Sequence, residues 1–221
     1  KRLQSIVVDL VNCYLVFVGF IKPSSNSKTG PMVQSYFLDK TRLRNEPNVF
    51  GSKCHNCSIV DNCYVSRDKL AVRKAMTRLL DGANTSYRFV SFEHALERLK
   101  GCDLRLGTYG DPSVLTLEQL EAITSQVYMF TAYTHFWREI PTEYSKYFMA
   151  SVETYSDRIL ANSLGYRTFR VIRKDHDYSA YELVDSIECL YTDRNIQCYK
   201  CKLCNGTFKS KKTKDIWIHE H

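Results

Sequence analysis

The sequence predicts an α/β protein built from repeated βα units, closing as a partial β/α barrel or lying as an open parallel sheet, with cysteine-rich metal-binding segments added. Three observations predict it. Apolar strand-like runs and helical patterns alternate about five times from Tyr87 onward. Glycines fall where those helices should stop, at Gly82, Gly101 and Gly165. Seven of the nine cysteines fall into two tight groups.

The first ~65 residues read as strands over Ser5 to Leu10, Tyr14 to Phe20 and Gln34 to Leu38, separated by polar loops. Lys1 to Ile21 opens like a secretory leader. Asp9 and Asn12 interrupt its apolar run and no small-residue cleavage site follows, so one or two buried strands are expected there. A basic helix follows over Arg67 to Arg78. Next come strand Tyr87 to Val90, helix Ser91 to Lys100, strand Asp103 to Tyr109 and helix Thr116 to Ser125. The last begins with a capping box, Thr116 with Gln119, and a staple of Leu115 on Leu120. Strands Val127 to Tyr133 and Tyr147 to Val152, helix Thr154 to Leu164, and strands Arg167 to Ile172 and Ile187 to Leu190 complete the alternation. The chain thus divides into 1–66, strands with the first cysteine segment; 67–188, the βα core; and 189–221, a cysteine-rich basic segment.

In such folds the functional groups gather in loops after the carboxyl ends of the strands. Those loops are Gly110-Asp111-Pro112, the stretch Thr134 to Arg138, Glu153 with Thr154, and Arg173 to His176. Asp111 offers a carboxylate as base or ligand, with an ordinary turn as the competing reading. His135, Trp137 and Arg138 put a titratable ring, an aromatic platform and an anion-binding fork within four residues, a set suited to phosphate-bearing substrates. Cys189 also lies near a strand end, which would deliver the second cysteine group to the same face.

A chain of 221 residues, 44% hydrophobic and 25% charged, can bury a core. Its 31 Lys+Arg against 24 Asp+Glu leave a net charge of +7, which favours phosphate-bearing partners without requiring them. An odd cysteine count at tight spacing argues for metal ligation in a reducing, cytoplasmic setting rather than for disulfides. Cys54, Cys57 and Cys63 read Cys-x2-Cys-x5-Cys, in which the two-residue gap presents two thiolates to one centre. Cys198, Cys201 and Cys204 read Cys-x2-Cys-x2-Cys, with Cys189 as a fourth ligand. Zinc and an iron-sulfur cluster both suit such ligands. A two-cysteine, two-histidine zinc set of Cys201, Cys204, His219 and His221 is a further possibility. Lys209, Lys211, Lys212 and Lys214, between Phe208 and Trp217, form a basic stretch with aromatics, read either as a nucleic-acid contact or as a solvated tail. No phosphate-binding glycine loop, His-Glu-x2-His zincin or Gly-x-Ser-x-Gly elbow occurs, which disfavours hydrolases of those types.

The first cysteine run resembles those holding auxiliary four-iron clusters in the SPASM extensions of radical SAM enzymes, and the second resembles the ferredoxin run. The radical SAM signature Cys-x3-Cys-x2-Cys is absent. Over nearly the whole chain, TGPM, CHNC with CYV, LRLGTYGDP, TAYTH-x-WR, MASVET and GYRTFRV are similar to an uncharacterised family of bacteriophage proteins. That resemblance implies a phage origin and the host cytoplasm, and no reaction. Two expectations follow. One is a phage-encoded iron-sulfur or zinc protein, an enzyme on a nucleotide or nucleic acid, with Asp111, His135 and Arg138 lining the pocket. The other is a non-enzymatic zinc-stabilised nucleic-acid-binding protein; an inhibitor of a host protein is a third reading that leaves no mark in the sequence.

Overall fold

The computed structural model describes residues 5–22, 24, 26–46, 48–63, 65, 68–83, 85–173, 178–207 and 214–220. Along the chain come β1 (Ser5–Asp9), β2 (Cys13–Val18), β3 (Val33–Asp39), α1 (Arg42–Asn45), α2 (Asp68–Leu80) and β4 (Tyr87–Val90). They are followed by α3 (Phe92–Leu99), β5 (Asp103–Tyr109), α4 (Leu117–Gln126), β6 (Met129–Thr134), β7 (Met149–Val152) and α5 (Tyr155–Ser163). The chain ends with β8 (Thr168–Ile172), β9 (Ser186–Glu188), α6 (Leu190–Arg194), α7 (Cys198–Cys201) and β10 (Asp215–His219).

All ten strands join one sheet in the order β4-β1-β2-β3-β5-β6-β7-β8-β10-β9. β1 is parallel to β4 and antiparallel to β2, and β2 is antiparallel to β3. Every ladder from β3 onward to β9 is parallel, so of these strands only β2 is reversed. The α/β class is therefore as the alternation predicts. The expected boundaries at 66 and 188 do not coincide with breaks in the sheet, because β1 to β3 and β10 belong to the same ladder as the strands of the middle segment.

The strands are apolar on both faces, as a sheet covered on both sides requires. One face buries Ile6, Leu15, Phe37, Leu104, Phe130 and Ala150 under α3, α4 and α5. The other buries Val7, Val16, Tyr36 and Tyr87 under α2. Further along that second face, Met149, Ile216 and Ile218 pack against Cys189 and Cys204 of the cysteine-rich segment. Local signals hold well. Thr116 accepts from the Gln119 amide in a complete capping box, and Gly82, Gly101 and Gly165 all have positive φ at the ends of their helices.

The segment expected as a basic tail instead contains β10, inserted between β8 and β9. Its five residues alternate, with Ile216 and Ile218 turned into the apolar cluster and Trp217 and His219 meeting edge to face with ring centroids 5.2 Å apart. The long lysine run before it masked this short period-2 pattern.

Candidate metal centre at the strand ends

The N-terminal cysteine group is fixed to the carboxyl ends of the strands by backbone. Gly51 bridges Leu38, the Ser52 amide donates to the Phe37 carbonyl (2.8 Å), and the Asp111 amide donates to the Ser52 carbonyl (3.0 Å). Two successive 3-10 turns follow, Cys54–Asn56 and Val60–Asn62, with the Cys57 amide bonded to the Cys54 carbonyl and the Cys63 amide to the Val60 carbonyl. This folding turns the Cys-x2-Cys-x5-Cys spacing into three thiols lying within electrostatic reach of one another. The Gly110 amide donates to the Cys54 sulfur and the Ile59 amide to the Cys57 sulfur, the kind of N–H to sulfur bond that supports metal thiolates.

Two glycines make the approach possible. A Cβ on Gly110, whose φ is +79°, would lie 2.1 Å from the Phe37 carbonyl oxygen, and one on Gly51 would lie 2.6 Å from the Cys54 sulfur. Any side chain at either position would push the turn away from the strands.

Asp111 and His135 join this group. Asp111, buried at the end of β5, accepts from the Ser113 amide (2.9 Å), the Thr134 hydroxyl (2.9 Å) and the His135 amide (3.0 Å), so it clamps the ends of β5 and β6 together. Burial pushes the His135 pKa down while Asp111 and Glu153 push it up, and the net lowering keeps the ring neutral near pH 7. Burial pushes the Cys54 thiol up to about 12, against the Gly110 amide and with Cys63, Asp111 and Cys57 adding to the rise. Cys57 is raised by burial too, with Asp111, Cys63 and Glu153 acting the same way against the Ile59 amide. The group thus brings three thiols near the Asp111 and Glu153 carboxylates and a neutral imidazole, and burial together with the carboxylates holds Cys54 and Cys57 in the protonated form. The nearby Lys53 ammonium is turned to the Ser113 hydroxyl (3.0 Å) and the Phe136 ring (5.0 Å).

The C-terminal cysteine group lies elsewhere on the sheet. Cys189, Cys198 and Cys204 are buried, and the pKa of Cys204 is raised by burial and by Cys198, Cys189 and Cys201. The Tyr133 hydroxyl donates to the Cys204 sulfur. The Cys198 amide bonds to the Lys28 carbonyl, and Cys198 packs with Met32 and Met129 at the amino ends of β3 and β6. Its neighbours are therefore not Asp111 and His135, and the expected delivery of both cysteine groups to one face of strand ends is not what the chain does. The cause is the length from Cys189 to Cys198, which carries α6 and lets the segment run back across the sheet.

Other expected site residues are placed as follows. Arg138 stacks on Trp137 (3.8 Å to the ring centroid) and pairs with Asp157 in the first turn of α5, with its side chain exposed. Trp137 is buried and donates to the Ser151 carbonyl (3.1 Å), so its part is packing. His219 lies across the sheet from Cys204, which separates the members of a two-cysteine, two-histidine set. Lys214 is exposed, whereas Lys209, Lys211, Lys212, Lys174, Asp175, His176 and His221 lie outside the described residues. All nine cysteines are described, and none forms a disulfide. Among the described residues, no three His, Cys, Asp or Glu side chains are drawn together as they would be about a metal ion, so the thiols of each group are neighbours without being collapsed onto a point.

Sequence reasoning named Glu153 only as part of a loop and missed Lys28, Arg105, Arg167 and Tyr133 around the C-terminal group. Strand periodicity held a signal for two of them. Arg105 and Tyr133 fall at alternating positions of neighbouring strands, on the face that also carries polar Gln34 and Thr131. No helix among the described residues is long and apolar enough to cross a membrane. No family model, curated protein or solved structure matches the chain.

Proposed function

We propose that this is a metal-binding protein, holding zinc or an iron-sulfur cluster, whose reactive centre is formed by Cys54, Cys57 and Cys63 at the carboxyl ends of β5, β6 and β7. The observation that carries this reading is the set of three neighbouring thiols, two of them receiving backbone amides, gathered with Asp111, His135 and Glu153. Three thiolates hold a metal group while leaving one position open, the pattern of reactive rather than purely structural sites. Bound there, the group would supply Lewis acidity if zinc, or electron transfer if iron-sulfur.

The chain's own residues would then divide the work. Cys54, Cys57 and Cys63 anchor the group, and the Gly110 and Ile59 amides support two of the sulfurs. Asp111 holds the β5 and β6 ends in register, which orients the His135 backbone. The neutral His135 ring can accept a proton, with Glu153 near enough to favour its charged form. The net charge of +7 supports a nucleotide or nucleic acid as substrate.

Metal and sulfide analysis with a visible spectrum, on protein purified without oxygen, tests the reading. Iron with sulfide, or stoichiometric zinc, is expected in the wild type, with a loss in Cys57→Ser. Metal-free wild type, or unchanged metal in Cys57→Ser, would reject it.

A further inference from the structure

We infer that Cys189, Cys198, Cys201 and Cys204 form a second, closed four-thiolate metal centre, separate from the first, whose negative charge is balanced by Lys28, Arg105 and Arg167. This rests on the reading of the chain as a metalloprotein but on different residues and a different charge environment.

Four thiolates around a dication, or around a four-iron cluster in its 2+ state, leave a net charge of −2, which in a buried setting needs cations nearby. Those cations are present. Arg167 is 5% exposed and lies within electrostatic reach of Cys204. Its terminal nitrogens donate to the carbonyls of Leu203 (2.9 Å), Asn205 (2.8 Å) and Lys214 (2.9 Å), and its buried Nε has no acceptor among the described residues. These acceptors are neutral carbonyls, and the Asp215 carboxylate that acts on Arg167 is itself engaged by Arg158 at 2.7 Å. Lys28 and Arg105 both act on Cys198. Around the first group, by contrast, the charges acting on the thiols are Asp111 and Glu153, and the Lys53 ammonium is turned to the Ser113 hydroxyl. One group is set among cations and the other among carboxylates.

The backbone around this group is also built as a staple. The Ala132 amide of β6 donates to the Cys204 carbonyl (3.0 Å), the Gly206 amide to the Tyr147 carbonyl (3.1 Å), and the Thr207 amide to the Ser145 carbonyl (3.1 Å). Residues 204–207 thereby wedge beside β6 before β7 begins, and Gly206 approaches so closely that a Cβ there would lie 2.4 Å from the Lys146 backbone. A closed centre at Cys204 would lock this wedge and, through Cys189, the edge strand β9.

Cobalt(II) titration of the metal-depleted full chain, read by thiolate-to-cobalt absorption, tests the inference. Wild type is expected to take up cobalt at two centres, Cys57→Ser at the C-terminal one alone, and Cys201→Ser at the N-terminal one alone. Tyr133→Phe, which keeps the ring and removes only the bond to Cys204, should weaken the C-terminal centre about tenfold or more. Unchanged uptake in Cys201→Ser, loss of all uptake in Cys57→Ser, or unchanged affinity in Tyr133→Phe would overturn the second centre while leaving the first reading standing. No uptake by the wild type would overturn both.

Discussion

At the scale of single residues, glycines illustrate how surroundings decide what a shared backbone conformation costs. Gly101 and Gly110 both have positive φ, but nothing lies within 4 Å of a Cβ built on Gly101, whereas one on Gly110 meets the Phe37 carbonyl at 2.1 Å. Gly101→Ala should therefore cost only the left-handed penalty, about 1 to 2 kcal/mol. Gly110→Ala should cost clearly more and also withdraw the amide from the Cys54 sulfur. Urea denaturation of the two variants beside wild type, with metal content measured in each, checks the order; equal costs would contradict this account. Asp111 was legible as either a functional carboxylate or a turn residue. The structure engages its oxygens with the Ser113 amide of the turn and with Thr134 and His135 at the end of β6, and sets its charge beside the thiols.

At the scale of elements, the helices and most strands were readable because their signals are local: the capping box on α4, the glycine ends, the alternation of β5 and β6. What joins them was not. Arg158 of α5 donates to Asp215 of β10 (2.7 Å) and to the carbonyls of Glu182 and Val184 (both 2.8 Å), and Asp215 also accepts from the Thr168 amide of β8 (2.7 Å). Both side chains are buried. Asp215→Ala should cost about 3 to 5 kcal/mol, since it strands a buried guanidinium. The paired replacement Arg158→Met with Asp215→Leu should recover much of that. Thermal melts of the three variants would show it, and a double variant no better than the single one would mean the pair does more than neutralise itself. By comparison Thr116→Ala, which removes one side-chain cap, should cost about 1 kcal/mol.

At the scale of the whole molecule, burial of thiols sets a pH limit. Cys13 lies in the main apolar core, and burial pushes it up to about 12, with Asp39 and Asp9 acting the same way against Lys40. The unfolded chain releases that proton near pH 9 while the folded chain keeps it, so between 9 and 12 the folded state binds more protons and stability falls as pH rises. The loss is about 1.4 kcal/mol per pH unit for such a thiol. Unfolding free energies in reductant at pH 9 and 10.5 should drop by about 2 kcal/mol more in wild type than in Cys13→Ala; matching slopes would assign the alkaline loss to other groups. By itself the sequence determined the α/β class, most element positions, the two cysteine groups and the presence of Asp111 and His135 at strand ends, because helix caps, glycine stops and strand alternation act over a few residues. Only the tertiary structure decided the strand order, the entry of β10 into the sheet, the pairing of Arg138 with Asp157, and the separation of the two cysteine groups into different charge surroundings. Those depend on contacts between residues tens of positions apart, where spacing along the chain no longer reports distance in space.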